Sequence, residues 1–340
     1  MTKAAIILKK TAVAAMCVIL AAGMTACGKK ADSAQSESVS ENDKYSSDIF
    51  AMDTYMSLTA YGAKAEDAVT VAIHEIQRLD AMFSVGNTDS DVTTANMQGS
   101  ATVSDETAYL VEQSLEISRK TDGAFDITIY PVMELWGFTT KNYKVPQADE
   151  LQETLKRVSY ENVSLKDHEL VLKNNAQIDF GGIAKGYITD KVVSYLEGKG
   201  VKKALVNLGG NIKVTGKFNI GIRKPFTEEI LLNMPLENKS AVTSGIYERY
   251  IEKDGEIYHH VLDPATGCGV KNELSSVTVI GENSADCDAL STACLLLGTE
   301  KGKEIIENTA GTEAVFISRD GDITLTAGLY RENDKILFKR

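Results

Sequence analysis

Two adjacent His residues, a run of paired glycines, and an Asp and a Thr one helical turn apart give this 340-residue chain its clearest chemical capacity. His259 and His260 stand in Tyr258-His259-His260-Val261-Leu262-Asp263-Pro264, which holds two of the four His in the chain. Neighbouring side chains on a strand point to opposite faces, so only one of the two faces any given site. An imidazole near neutrality can take a proton as general base, with a nearby Asp to orient it. A structural His at a turn fits the same local pattern. Asp179-Phe180-Gly181-Gly182-Ile183-Ala184-Lys185-Gly186 puts glycines directly ahead of a helix start. Backbone N–H groups there suit phosphate oxygens, glycine lets an anion approach closely, and Lys185 adds a cation one turn in. The run is neither a Walker A loop nor a dinucleotide fingerprint. A tight strand-to-helix turn with a surface Lys accounts for it equally well. In Asp286-Cys287-Asp288-Ala289-Leu290-Ser291-Thr292, Asp288 and Thr292 share one helix face. Their oxygens are hard ligands of the kind Mg²⁺ or Ca²⁺ takes. Asp286 reads as the cap of that helix, and a cap followed by a core-facing Thr is the plainer alternative.

The elements that must position these groups are partly legible. Ile49 to Ala60 alternates as one strand, and Glu66 to Phe83 carries Val69, Ile73, Ile76, Leu79 and Phe83 at helical spacing, with His74 off the stripe. Ser104-Asp105-Glu106 reads as a helix start. The acids and glycine of Thr121-Asp122-Gly123-Ala124-Phe125-Asp126 lead into an expected strand, Phe125 to Tyr130, stopped by Pro131. Helices are expected near Asp149 to Val158, after Gly186 to about Leu196, and from Cys287 to Leu297. Short strands are expected at Val163–Leu165, Leu170–Leu172 and Ala204–Leu208, and near Ile220, Ala241, Tyr258 and Val277. Val315–Ser318 and Ile323–Ala327 read as a hairpin around Asp320-Gly321. Strands and helices alternate irregularly, so the fold class is α+β: a single large mixed domain of β-sheets packed with helices, over residues 49–340.

The first 26 residues read as a secretory leader, with Lys3, Lys9 and Lys10 ahead of the apolar run Ala12 to Gly23. That run is shorter than the roughly 20 residues a membrane-spanning helix needs. Met24-Thr25-Ala26-Cys27 resembles the lipobox of bacterial lipoproteins, with Met24 where Leu is usual. It implies a lipidated Cys27 and an anchored chain on the extracytoplasmic face of the cell membrane. Residues 27–48 are polar and poor in large apolar groups, so they read as a flexible tether. The net charge is −12, and loss of the three leader Lys takes it three units lower, to −15. An acidic surface argues against nucleic acid as a partner. Cys268, Cys287 and Cys294 match no disulfide framework or zinc spacing and read as packing residues.

Taken in order, the motifs resemble the ApbE family, the FAD:protein FMN transferases. The resemblance runs from about Ile49 to Gly298. It includes Met52-Asp53-Thr54, Leu79 to Ser84, the Thr121–Asp126 run, Trp136-Gly137-Phe138, the Asp179–Tyr187 run, Asn207 to Asn211, Thr243-Ser244-Gly245 with Tyr247-Glu248-Arg249, His260 to Gly267, and Asp288 to Thr292. It implies that Met52, Ala124, Phe125, Asp126, Asp179, Lys185 and Leu262 contact FAD. Gly182, through its carbonyl, with Asp288 and Thr292 would hold Mg²⁺, and His260 would be the base. The acceptors implied are FMN-binding proteins of extracytoplasmic electron-transfer complexes. Asp53 departs from the usual Gly. Val85-Gly86-Asn87 lacks the aromatic that covers the flavin in many relatives, leaving it more exposed or covered by Trp136 or a Tyr from elsewhere. Two alternatives use the same residues. One is a pyrophosphatase cutting FAD to FMN and AMP; the other is a non-catalytic flavin-binding lipoprotein.

Overall fold

The computed structural model describes residues 43–339. The leader, Cys27 and the tether up to residue 42 lie outside the described residues. Eight strands form a central antiparallel sheet, named here in chain order and given in spatial order. They are β1 (Lys44–Ala51), β2 (Thr54–Tyr61), β6 (Lys203–Leu208), β7 (Asn211–Thr215), β10 (Ser240–Gly245), β13 (Leu274–Gly281), β14 (Glu313–Ser318) and β15 (Ile323–Leu325). A second sheet runs β16 (Leu329–Glu332), β17 (Lys335–Phe338), β9 (Ile230–Glu237), β8 (Lys217–Arg223). Two small sheets are β3 (Ser100–Thr102), β5 (Glu169–Leu172), β4 (Val163–Lys166), and the hairpin β11 (Tyr250–Lys253) with β12 (Glu256–His259). The helices are α1 (Ala65–Phe83), α2 (Asp91–Gln98), α3 (Asp105–Lys120), α4 (Tyr130–Trp136), α5 (Ala148–Leu155), α6 (Ala184–Gly198), α7 (Ser284–Leu297) and α8 (Thr299–Glu307). The α+β class holds.

Side chains alternate across the central sheet, and each face has its own core. Met56, Leu58, Ala60, Val206, Leu208, Val277 and Val279 pack with α1, α6 and α7. The alternate residues Leu205, Val214, Ala241, Ile280, Val315 and Ile317 pack on Ile220, Ile222, Leu232 and Met234 of the second sheet. No residue of β1 or β2 belongs to that second core, although Tyr61 of β2 is buried with its ring centre 6.2 Å from that of Phe218 in β8.

Several sequence expectations change. The expected single strand Ile49–Ala60 is a hairpin, because Met52 and Asp53 turn with φ of 47° and 58°. The first strand starts at Lys44, inside the expected tether. Phe125–Tyr130 is not a strand. The Asp126 carboxylate accepts hydrogen bonds from the Thr128 N–H (2.8 Å) and hydroxyl (2.6 Å), which starts a 3-10 turn at Ile127. Pro131 then opens α4, where its missing N–H costs nothing. Asn283, not Asp286, caps α7, its side chain accepting from the Asp286 N–H at 3.0 Å.

The two helices that carry the candidate site touch through a glycine. A Cβ at Gly186 of α6 would lie 2.2 Å from the Ser284 carbonyl oxygen at the start of α7. Gly186→Ala must push the helices apart and is expected to lower stability by roughly 1–3 kcal/mol. A shift of the urea midpoint at unchanged slope would register it; a midpoint equal to wild type would show that the helices absorb the methyl group.

Candidate active site

Asp288 is only 3% exposed, although it is an acid on the most apolar helix of the chain. Its Oδ2 accepts from the Gly186 N–H at 3.0 Å and from Lys185 Nζ at 3.5 Å. Lys185 also donates to the Gly181 carbonyl at 2.9 Å, so the glycine turn and α7 are joined through one ammonium. A Cβ at Gly182 would stand 3.8 Å from Thr292 Oγ1. Thr292 meets Ser244 Oγ of β10 at 3.1 Å, and Ser244 meets Ser291 Oγ at 2.7 Å. Gly182, Asp288 and Thr292 therefore come together, with Ser244 as a further oxygen that the sequence left without a role. No cluster of three or more His, Cys, Asp or Glu suited to a metal occurs among the described residues. One carboxylate with hydroxyl and carbonyl oxygens is a hard donor set, suited to Mg²⁺ and not to zinc.

Asp190 of α6 fixes the position of α7. Its carboxylate accepts from the Ser284 and Ala285 N–H groups at 2.8 and 3.0 Å and from Lys213 Nζ at 2.6 Å. An acid against these orphan N–H groups also suits the helix dipole.

The two His separate as strand alternation requires. His259 is 4% exposed, with Nε2 at 3.0 Å from the Val270 carbonyl, and burial lowers its pKa. His260 lines the cavity, and its Nδ1 is 3.1 Å from the Arg249 carbonyl. A carbonyl only accepts, so Nδ1 carries the proton and Nε2 is the basic nitrogen. Burial, helped by the Arg249 cation, pushes the His260 pKa down to about 3. Asp263 does not orient this ring. It holds its own turn, accepting from the Ala265 N–H at 2.9 Å, and the Arg249 carbonyl does the orienting instead.

One cavity of about 1900 Å³ is lined by Met52, Ala124, Phe125, Asp126, Asp179, Gly182, Lys185, His260, Leu262, Asp288 and Thr292. Every site residue named from the sequence within the described chain thus faces a single space. Asp179 has its carboxyl pKa raised by burial, against the Gly181 N–H that its Oδ1 accepts at 2.6 Å. Asp126, also raised by burial, is engaged with Thr128 and with the Tyr160 N–H at 2.7 Å, so its carboxylate holds the wall in shape. The Met52 N–H donates to Asp80 Oδ2 at 3.1 Å, and Lys141 Nζ answers Asp53 at 2.8 Å across the mouth. Trp136 does not cover a flavin here. It is 2% exposed and donates its Nε1–H to the Gly267 carbonyl at 2.8 Å, while Phe138, Tyr143, Tyr247 and Tyr250 line the cavity. Arg223 and Arg249 also line it; Arg249 lies in a segment that carries the resemblance, though with no role assigned from it, and local sequence gave no signal for Arg223.

The ApbE family model matches residues 52–316. A Klebsiella pneumoniae (strain 342) protein named FAD:protein FMN transferase is 34% identical over 298 residues, which is 85% of this chain and 94% of that protein. A Treponema pallidum (strain Nichols) protein of the same name is 33% identical, covering 84% of this chain and 88% of its own. The crystal structure of the ApbE protein from Thermotoga maritima superimposes with a TM-score of 0.78 at 30% identity, covering 84% of this chain and 97% of that one. With the family model spanning most of the sequence and these relatives matched nearly end to end, this chain belongs to the ApbE family.

Proposed function

We propose that this protein transfers FMN from FAD to a Thr or Ser hydroxyl of partner proteins and releases AMP. The observation that carries the reading is the single cavity shared by a neutral imidazole, a lysine held at a glycine turn, and a buried carboxylate. The acceptor oxygen attacks the phosphorus of the FMN half, and the P–O bond to AMP breaks. His260 Nε2 takes the hydroxyl proton, and AMP departs with the bridging oxygen. Lys185 and the N–H groups that open α6 steady the diphosphate. Asp288, Thr292 and the Gly182 carbonyl would hold Mg²⁺, which supplies neutralising charge to the diphosphate. Met52, Ala124, Phe125, Asp126, Asp179 and Leu262 would form the FAD-contacting wall.

Attachment to the extracytoplasmic face of the membrane through a lipidated Cys27 is supported by the Met24–Cys27 pattern. No helix among the described residues is long and apolar enough to cross a membrane. Acceptors of the FMN-binding kind in extracytoplasmic electron-transfer complexes fit that location.

The test is mass spectrometry of a candidate acceptor domain incubated with this protein, FAD and Mg²⁺. A gain equal to FMN less one water on a Thr or Ser is the expected result. Fast AMP release without acceptor, and no adduct in its presence, would instead make the protein a pyrophosphatase.

A further inference from the structure

We infer that the Arg249 guanidinium grips the phosphoryl group of the FMN half, on the side of the cavity where His260 meets the acceptor hydroxyl. The inference rests on the transferase reading above and adds a catalytic contact to it. Two arginines line the cavity, and their surroundings differ. Arg223 of β8 is engaged: it pairs with Glu248 at 2.7 Å and Glu228 at 3.5 Å and lies over the Tyr247 ring at 5.5 Å. The Arg249 side chain makes no hydrogen bond or ion pair among the described residues, since Arg223 holds the neighbouring Glu248.

The backbone that carries Arg249 is fixed from both sides. Before it, the Glu248–Arg223 pair ties the segment to β8, and Tyr247 is buried beneath the Arg223 cation. At Arg249 itself, the carbonyl accepts the His260 backbone N–H at 3.0 Å and the His260 Nδ1–H at 3.1 Å. β11 then begins at Tyr250, paired with His259. One residue thus orients the base through its carbonyl and brings a guanidinium beside it. That fork of N–H groups matches two oxygens of one phosphate, which an ammonium cannot do.

The position carries an electrostatic cost that a bound anion removes. Burial is the main cause of the lowered His260 pKa and the Arg249 cation comes next, so Arg249 opposes the proton uptake asked of Nε2. Lys185 acts on His260 in the same sense, and both cations also act on Asp179, so the two serve one part of the cavity. A bound phosphate offsets that repulsion. Lys185 already answers the Gly181 carbonyl and Asp288, whereas Arg249 keeps all its donors free. In the transfer step the acceptor oxygen bonds to the FMN phosphorus and the hydroxyl proton passes to His260 Nε2. The P–O bond to AMP breaks, and its electron pair leaves on the AMP phosphate. Charge is spread meanwhile over the non-bridging oxygens, where a cation already held in place is worth most.

The test compares the wild-type protein with Arg249→Ala and Arg249→Gln by calorimetric titration of FAD, FMN and AMP without Mg²⁺, so that no FAD is consumed. FAD and FMN are expected to bind at least about tenfold more weakly to both variants. AMP should bind within about twofold of wild type, which also shows that the variants are folded. With Mg²⁺ present, kcat for acceptor labelling should fall about 100-fold or more, and added guanidinium should return part of it to Arg249→Ala. Unchanged FMN affinity, or equal weakening of FMN and AMP, overturns the contact. So does a kcat within about threefold of wild type. A wild-type protein that binds FAD yet labels no acceptor defeats the transferase reading separately, because the titrations judge Arg249 without turnover.

Discussion

Asp288→Asn is expected to abolish all but a trace of FMN transfer while leaving the protein folded. The amide oxygen can still accept from the Gly186 N–H, now at 3.0 Å, so the junction of α6 and α7 survives. What disappears is the negative charge at a position 3% exposed, where little water compensates for it. Substituting partners that merely support a metal ligand costs about 10–100-fold in affinity or activity, so removing the charged ligand itself should cost at least about 100-fold. Rates of AMP release and acceptor labelling, measured across a Mg²⁺ titration, check this. A variant within threefold of wild type at every Mg²⁺ concentration would falsify the assignment of Asp288 to the metal.

The second large effect concerns His260. His260→Gln keeps a side chain of similar reach that cannot accept the hydroxyl proton, and transfer should fall by about 10²–10⁴-fold. The wild-type pH profile carries a sharper signature. With its pKa pushed down to about 3, the imidazole stays unprotonated throughout the neutral and mildly acidic range. No acid limb near the ordinary histidine value of about 6.5 should therefore appear in kcat/KM. For stability the sign is as follows. The folded pKa lies below the unfolded one, so the unfolded chain binds the extra proton, and His260 costs stability progressively as pH falls from about 6.5 toward 3. Above pH 6.5 it contributes nothing either way. A midpoint near 6.5 in the rate profile that vanishes in the Gln variant would show a normal, exposed imidazole and sink the argument.

Sequence reached the site further than it reached the fold around it, for reasons visible in particular residues. Helical spacing puts Asp288 and Thr292 on one face and the glycines of the Asp179–Gly186 run ahead of a helix start, but each pattern alone also fits a purely structural use, and the roles of these residues came from the family resemblance. That α6 lies against α7 depends on Gly186 meeting Ser284, a contact no local pattern encodes. The Met52–Asp53 turn was hidden because two-residue hairpin turns favour Asn-Gly or Asp-Gly, and neither residue here announces a positive φ. Ile127-Thr128-Ile129 looks like strand by propensity, yet the Asp126 carboxylate coils it, a local side-chain-to-backbone hydrogen bond that overrode the β-branched residues. Arg249 and Ser244 lie in one of the segments that carry the family resemblance, but that they reach the cavity from β10 and the segment after it follows from sheet order, which the segment's sequence does not encode.

Helix α7 holds Cys287 and Cys294 fully buried, and burial pushes both thiol pKa values upward, to about 12 for Cys294. A thiol kept protonated and shielded from solvent is a poor target for peroxide and for disulfide exchange. The two sulfurs also cannot join: seven residues along a helix set their backbones about 10 Å apart, beyond the reach of a disulfide. The helix that presents Asp288 and Thr292 thus carries no thiol that a solvent-borne oxidant readily reaches.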